Sequence, residues 1–334
     1  MATMKDVAQV AGVSTATVSR ALMDPDKVST STRHKVEQAV INTGYSPSSL
    51  ARNLRRNESK TILALIPDIC DPYFSEIIRG IEDAAMDHGY LVLLGDSSQH
   101  TTKDNAFANL FYTKQADGML LLGSDLPFDI SKPEQKNYPP LVMACEYNPE
   151  LEIPTVHIDN LTAAFEAVNY LTQKGHTRIA TIMGASSASL SHFRHQGYEQ
   201  ALHRYGITPN PEYIFEGDFS FASGAHAAST LLTLPEPPTA LFCHNDMMAI
   251  GAMQQAKRLG IKIPEELSII GFDDITFAEY CEPALTTVSQ PRYDIGRETM
   301  LMLLDILQGK EVSKGSRLLD AQLVIRESVS TPIS

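Results

Sequence analysis

From Thr61 onward the chain is built on short apolar runs bounded by turn residues: TILALIP (61–67), YLVLLGD (90–96), GMLLLGS (118–124), LVMACE (141–146), RIATIMG (178–184), ALFCHN (240–245) and LSIIGFD (267–273). The runs are too short for helices and lack polar alternation, so they read as strands buried on both faces. Longer segments with helical spacing fall between them, including PYFSEIIRGIEDAAMDHG (72–89), LTAAFEAVNYLTQKG (161–175) and DMMAIGAMQQAKRLG (246–260). Strand and helix in alternation predict parallel sheets covered by helices, and the length suits two such sheets. A glycine near the end of a helix and just before the next strand recurs at Gly89, Gly175 and Gly260, which suggests two similar halves.

The first 46 residues follow another pattern. Thr3 can cap a helix with Asp6 three positions on, placing Val7, Ala8 and Ala11 on one face before Gly12 lets the chain turn. Ser14 can cap a second helix with Val18 and Leu22 inward and Thr15, Ala16, Ser19 and Arg20 outward. A third helix, capped near Ser29 or Thr30, carries Val36, Ala39 and Val40 inward and stops at Gly44. Helix, glycine turn and helix is a helix-turn-helix plan. There the start of the second helix reaches base edges in the major groove, and an arginine such as Arg20 can pair bidentately with guanine. After it, Pro47 and Ser48 can open a short helix with Leu50 and Leu54 on one side and Arg52, Arg55 and Arg56 elsewhere. Such a helix is too short to stand without a partner.

Charge sharpens this division. Residues 1–60 hold nine Lys or Arg against five Asp or Glu, a net +4, while the remainder carries 18 against 35, and the whole chain has net charge −13. A basic head on an acidic body fits nucleic acid at the head and disfavours a membrane surface. No signal-peptide pattern opens the chain and no apolar run approaches bilayer length, so a cytoplasmic protein is expected. Cys70, Cys145, Cys243 and Cys281 are far apart and form no C-x-x-C pair, which reads as buried free thiols.

The motifs MKDVAQVAGVSTATVSRAL, TRHKVEQAVINTGYSPSSLARNLR, HNDMMAIGA, IIGFDDI and LTTVSQP stand in the order and spacing of the LacI/GalR family of bacterial repressors, which the chain resembles over nearly its whole length. RNESKTILALIPDICDPYFSEIIRGIE, DGMLLLGS, PTVHIDNLTAAF and GSRLLDAQLVIR resemble the members that respond to cytidine. The resemblance implies an all-α helix-turn-helix DNA-binding head (1–46), a hinge helix and linker (47–60), and an α/β periplasmic-binding-protein-like body (61–334) of two Rossmann-like subdomains. One subdomain would span 61–158 and 291–319, the other 159–290 and 320–330. It implies a homodimer on operator DNA, with Thr15, Ala16 and Arg20 reading bases. Ser14, Thr17, Ser19, Thr32 and nearby basic groups such as Arg52 would hold phosphates, and Leu54 would wedge into the minor groove. Cytidine would be the effector, no cofactor is implied, and the cyclic-AMP receptor protein is an expected partner on DNA.

A cleft between two α/β halves takes small molecules at the carboxyl ends of strands. Residues at such ends are Asp71, Tyr73, Phe74, Phe219, Asn245, Asp246, Asp273 and Gln290, and Arg194 sits near the start of the helix LSHFRHQGYEQAL. By resemblance, Arg194 and Asp273 match the pair that clamps sugar hydroxyls. Ribose hydroxyls can donate to a carboxylate and accept from a guanidinium, and aromatic rings at Tyr73, Phe74 and Phe219 can sandwich a base. The ordinary alternative is core packing for Phe74 and Phe219, a helix cap for Asp71 and a local ion pair for Arg194. Ala188 and Leu190 stand where purine-responsive relatives read the base, which disfavours a purine, and Cys145 stands where sugar-responsive relatives have aspartate. No residue read from the sequence selects cytosine.

Enzyme motifs are absent: no G-x-S-x-G elbow, P-loop, dinucleotide fingerprint or H-E-x-x-H helix occurs. His192 and His195 could share a metal, but no carboxylate or thiol joins them at ligand spacing. A periplasmic solute receptor would suit the body alone; the basic head opposes it.

Overall fold

The computed structural model describes residues 2–45, 58–97, 107, 109–110, 113–123, 140–148, 151–313 and 315–333. The chain divides into two units, Met1–Ser59 and Lys60–Ser334. Leu54 and Arg52, with the expected hinge helix, lie outside the described residues.

Three helices form the head: α1 (Met4–Ala11), α2 (Thr15–Met23) and α3 (Thr30–Thr43). At the start of α1, Thr3 and Asp6 form the reciprocal capping box, and these bonds from Thr3 lower the carboxyl pKa of Asp6. Gly12 ends α1 at φ 68° and Gly44 ends α3 at φ 62°, left-handed turns that a side chain would resist. Val7, Ala8, Val18, Ala21, Val36 and Ala39 form the buried core. Ala21 takes the fully buried position one residue before Leu22, which packs against the core from its edge.

In the body, strands β1 (Thr61–Ile66), β2 (Leu91–Asp96), β3 (Gly118–Leu121), β4 (Leu141–Ala144), β5 (Thr155–Ile158) and β11 (Ser316–Leu319) make a six-stranded sheet in the order β11-β5-β4-β3-β1-β2. All its pairings are parallel. A second parallel sheet contains β6 (Ile179–Met183), β7 (Ile214–Glu216), β8 (Ala240–Cys243) and β9 (Ser268–Ile270) in the order β7-β6-β8-β9. The last strand, β12 (Gln322–Val324), pairs antiparallel with β10 (Thr287–Ser289) as a separate ribbon. Isolated bridges join Ile270 of β9 to Thr286, just before β10, and Asp273, beyond β9, to Ser289 of β10.

Helices of the body among the described residues include α4 (Phe74–Asp87), α5 (Asn160–Gln173), α6 (Ser189–Arg204), α7 (Phe221–Leu231), α8 (Asp246–Arg258), α9 (Thr276–Glu279) and α10 (Arg292–Leu307). Packing on both faces accounts for the uninterrupted hydrophobicity of β1, β3, β4 and β8, but not of β2, an edge strand on which Leu91 and Leu93 are exposed. Ile62, Ala64 and Ile66 of β1 enter one core with Phe242 of β8, while Leu63 and Leu65 enter another with Met119 and Met143. Leu241 and Cys243 of β8 face a third cluster. That first core runs from one sheet to the other and ties the halves of the body together.

The pairing of α4 with α10 rests on glycine. A Cβ at Gly80 would lie 2.1 Å from the Tyr293 carbonyl, and one at Gly296 would lie 2.0 Å from the Ile77 carbonyl. Both obstacles are backbone, so a methyl must push the helices apart. Gly80→Ala is expected to destabilise the body by roughly 1–3 kcal/mol, read as a thermal midpoint several degrees lower with the far-ultraviolet spectrum retained.

Candidate ligand site and nucleic-acid interface

Parallel pairing places the strand ends of each sheet on one side, and the candidate side chains come from these ends. Arg194 on α6 is the centre of the arrangement and is only 3% exposed. Its Nε donates to Asn160 Oδ1 at 2.8 Å, its Nη1 donates to the His244 carbonyl, and its guanidinium lies 3.6 Å over the Phe272 ring. Its Nη2 stands 3.7 Å from Asp273 Oδ1. Asp273 Oδ1 accepts a tight 2.7 Å bond from Gln290 Nε2, and Gln290 Oε1 accepts from the Tyr73 hydroxyl at 3.1 Å. Tyr73, Arg194, Asp273 and Gln290 thus form one buried network drawn from four separated stretches of chain.

Electrostatics here are set by dehydration. Burial raises the carboxyl pKa of Asp273 well above its ordinary value and lowers that of Arg194, each shift being opposed by the other's charge. The thiol of Cys145, beside Tyr73, is pushed up to about 12, mainly by burial. A ligand hydroxyl would meet these groups in a dry setting, where a hydrogen bond is electrostatically stronger than in water.

Backbone strain gathers at the same strand ends. Cys145 (φ 71°), Phe219 (φ 69°), Asp273 (φ 111°) and Asp274 (φ 56°) occupy the left-handed region.

The other expected contacts have structural duties. Asp71 Oδ1 accepts from the Tyr73 amide at the entry to α4. Phe74 is not in the network: as the first residue of α4 it turns into the core, edge-on to Tyr73 at 5.0 Å. Asn245 caps α8 through the Met248 amide and donates to the Phe219 carbonyl at 2.9 Å. Asp246 is wholly buried and accepts from the Ile275 amide and the Thr287 hydroxyl, joining α8 to the β9 and β10 ends. The Phe219 ring covers Gly184, where a Cβ would fall 1.9 Å from Cζ. Asn160 and Phe272, which orient Arg194, escaped the sequence reading; the only signal for Asn160 was its place beside the α5 cap Asp159. Of the thiols read as buried, Cys145 and Cys243 are buried, whereas Cys70 is exposed and Cys281 half-buried.

In the head, Thr15, Ala16 and Arg20 are exposed on α2. Ser14 accepts from the Thr17 amide at 3.1 Å and its hydroxyl lies 2.9 Å from that of Thr17. Thr32 makes the equivalent pair with Ser29 at the start of α3, at 2.9 Å. Ser19 is half-buried on α2.

Comparison with known proteins accounts for both units. Residues 3–48 match the family of bacterial regulatory proteins, lacI family, and residues 168–329 match a periplasmic binding protein-like domain. The HTH-type transcriptional repressor CytR of Escherichia coli K12 is 62% identical over 327 residues, covering 98% of this chain and 96% of that protein. The chain belongs to the lacI family of bacterial regulatory proteins. A second relative in the family, the HTH-type transcriptional repressor PurR of Vibrio vulnificus, is 36% identical over 98% of this chain and 99% of its own length. Among solved structures, the lac repressor dimer bound to operator and the anti-inducer ONPF has a TM-score of 0.87 at 28% identity, covering 98% of this chain and 99% of that one.

Asp246 gives this lacI-family body a pH signature. Burial raises its pKa from an ordinary 3.8 to about 7, so the folded chain binds more protons than the unfolded one between these values. Its contribution is fully present below about pH 4 and is lost as pH rises through 7. Asp246→Asn removes that loss, and the fall in thermal midpoint from pH 5 to pH 8 is expected to be shallower in the variant than in the parent chain.

Proposed function

We propose that this lacI-family chain is a cytoplasmic transcriptional repressor that binds operator DNA as a homodimer and releases it when cytidine occupies the body. The observation that carries the reading is 62% identity to a transcriptional repressor across 98% of the chain. Two features support its separate parts.

The head has the charge and shape for DNA. Thr15, Ala16 and Arg20 stand exposed on α2 for base edges, while the hydroxyls of Ser14, Thr17, Ser19 and Thr32 sit on the first turns of helices or beside them. Helix starts favour anions, so phosphates would be held there. Two heads from a dimer would read two half-sites. By resemblance, Leu54 and Arg52 would join the contact through the minor groove and backbone, and the cyclic-AMP receptor protein would share the regulatory DNA.

The body has the chemistry for a sugar diol. Asp273 accepts and Arg194 donates, and Gln290 and Tyr73 extend the same hydrogen-bonded row. Asp71, Phe219, Asn245 and Asp246 would then shape the surrounding loops. Ligand and operator are coupled when the ligand favours one arrangement of the body over another.

Two substitutions separate the parts. Arg20→Ala is expected to cost roughly 1–3 kcal/mol on the cognate operator and little on random DNA, measured by fluorescence anisotropy at fixed salt; equal loss on both would leave Arg20 a phosphate contact. Asp273→Asn is expected to retain operator affinity while cytidine no longer displaces the DNA. An unchanged displacement curve in that variant would remove the diol clamp.

A further inference from the structure

Next to Asn160, the residue that holds Arg194 Nε, lies a cavity of about 170 Å³, walled by Tyr147, His157, Asn160, Leu190, Phe193 and Leu318. An apolar cavity of about 150 Å³ holds a benzene molecule, so this one has the capacity for a single six-membered ring. Asn160 belongs both to this wall and to the network, since its Oδ1 receives the Arg194 Nε bond. Leu190 and Arg194 stand four residues apart on α6, hence on one face and one turn apart.

One wall group is chemically unfinished. His157 on β5 is 8% exposed, and its Nδ1 lies 2.8 Å from the Ile158 carbonyl. A carbonyl only accepts, so the proton sits on Nδ1 and Nε2 keeps a bare lone pair. Burial lowers the pKa of this imidazole, which keeps the ring neutral. Nε2 is buried and has no hydrogen-bond partner among the described residues. The ring is held flat against Tyr147, with centroids 5.0 Å apart and planes inclined by 3°. A buried acceptor without a donor is costly, and a ligand N–H would satisfy it.

We infer that this cavity receives the base of the nucleoside and that His157 Nε2 accepts a hydrogen bond from the exocyclic amine of an aminopyrimidine. The inference rests on the reading that a ribose is held by Arg194 and Asp273. With the sugar fixed there, cytosine presents an amine where uracil presents a carbonyl, and a carbonyl would set lone pair against lone pair. His157 is thereby a specificity-determining residue, and Leu190 and Phe193 limit the site to one ring.

Calorimetric titration of the full-length protein with cytidine, uridine and ribose tests this, using His157→Phe, which keeps a flat ring and deletes the acceptor, and Leu190→Phe, which fills the cavity. His157→Phe is expected to weaken cytidine about tenfold without weakening uridine, and Leu190→Phe to weaken both nucleosides while sparing ribose. A cytidine-to-uridine preference unchanged in His157→Phe would overturn the assignment of His157, and full nucleoside affinity in Leu190→Phe would overturn the cavity as the base site. Wild-type binding of cytidine with either of those results leaves cytidine as the effector and overturns only this inference; absence of nucleoside binding by the wild-type protein would overturn cytidine as the effector and this inference together.

Discussion

A guanidinium taken almost wholly out of water must be bonded on every side, and Arg194 imposes that requirement on the body. Asn160 comes from the end of β5, the His244 carbonyl from the end of β8, Phe272 and Asp273 from beyond β9. Misplacing any of these elements would leave charge or a polar group buried without compensation, an error of several kcal/mol. The contacts that satisfy the guanidinium are therefore the ones that create a polar row able to grip a diol. Structure and recognition share a single set of bonds.

That sharing explains how labour is divided among the strand-end residues. Asp246, Asn245 and Asp71 spend their hydrogen bonds on loops and helix starts. Asp273, by contrast, has one tight neutral donor and a guanidinium at 3.7 Å, beyond a direct hydrogen bond. The left-handed backbones at Cys145, Phe219 and Asp273 fit the same account, since a loop that must aim a side chain accepts strain that core packing elsewhere offsets.

Much of this was legible in the residues. The first three helices, with their caps at Thr3, Ser14 and Ser29 and their stops at Gly12 and Gly44, follow from local rules alone. Seven strands were visible as apolar runs. Strands β5, β7, β10, β11 and β12 were not among those runs, because they carry polar or charged members such as His157, Glu216 and Arg317. Their strand character comes from pairing with neighbours. Phe74, offered either as a base-stacking ring or as core, opens α4 and packs in the same apolar cluster as Tyr73.

Sequence by itself determined the helical head, the alternating α/β body, the difference in charge between them and the residue types at the strand ends, because caps, periodicity and composition act over a few neighbouring positions. Tertiary structure alone decided that Arg194 leans on Asn160 and Phe272, that Asn245 and Asp246 are spent on the scaffold, and that His157 keeps a bare nitrogen in a ring-sized cavity. Those outcomes depend on which atoms from distant strands compete for one hydrogen bond in a space without water, and no local pattern encodes that competition.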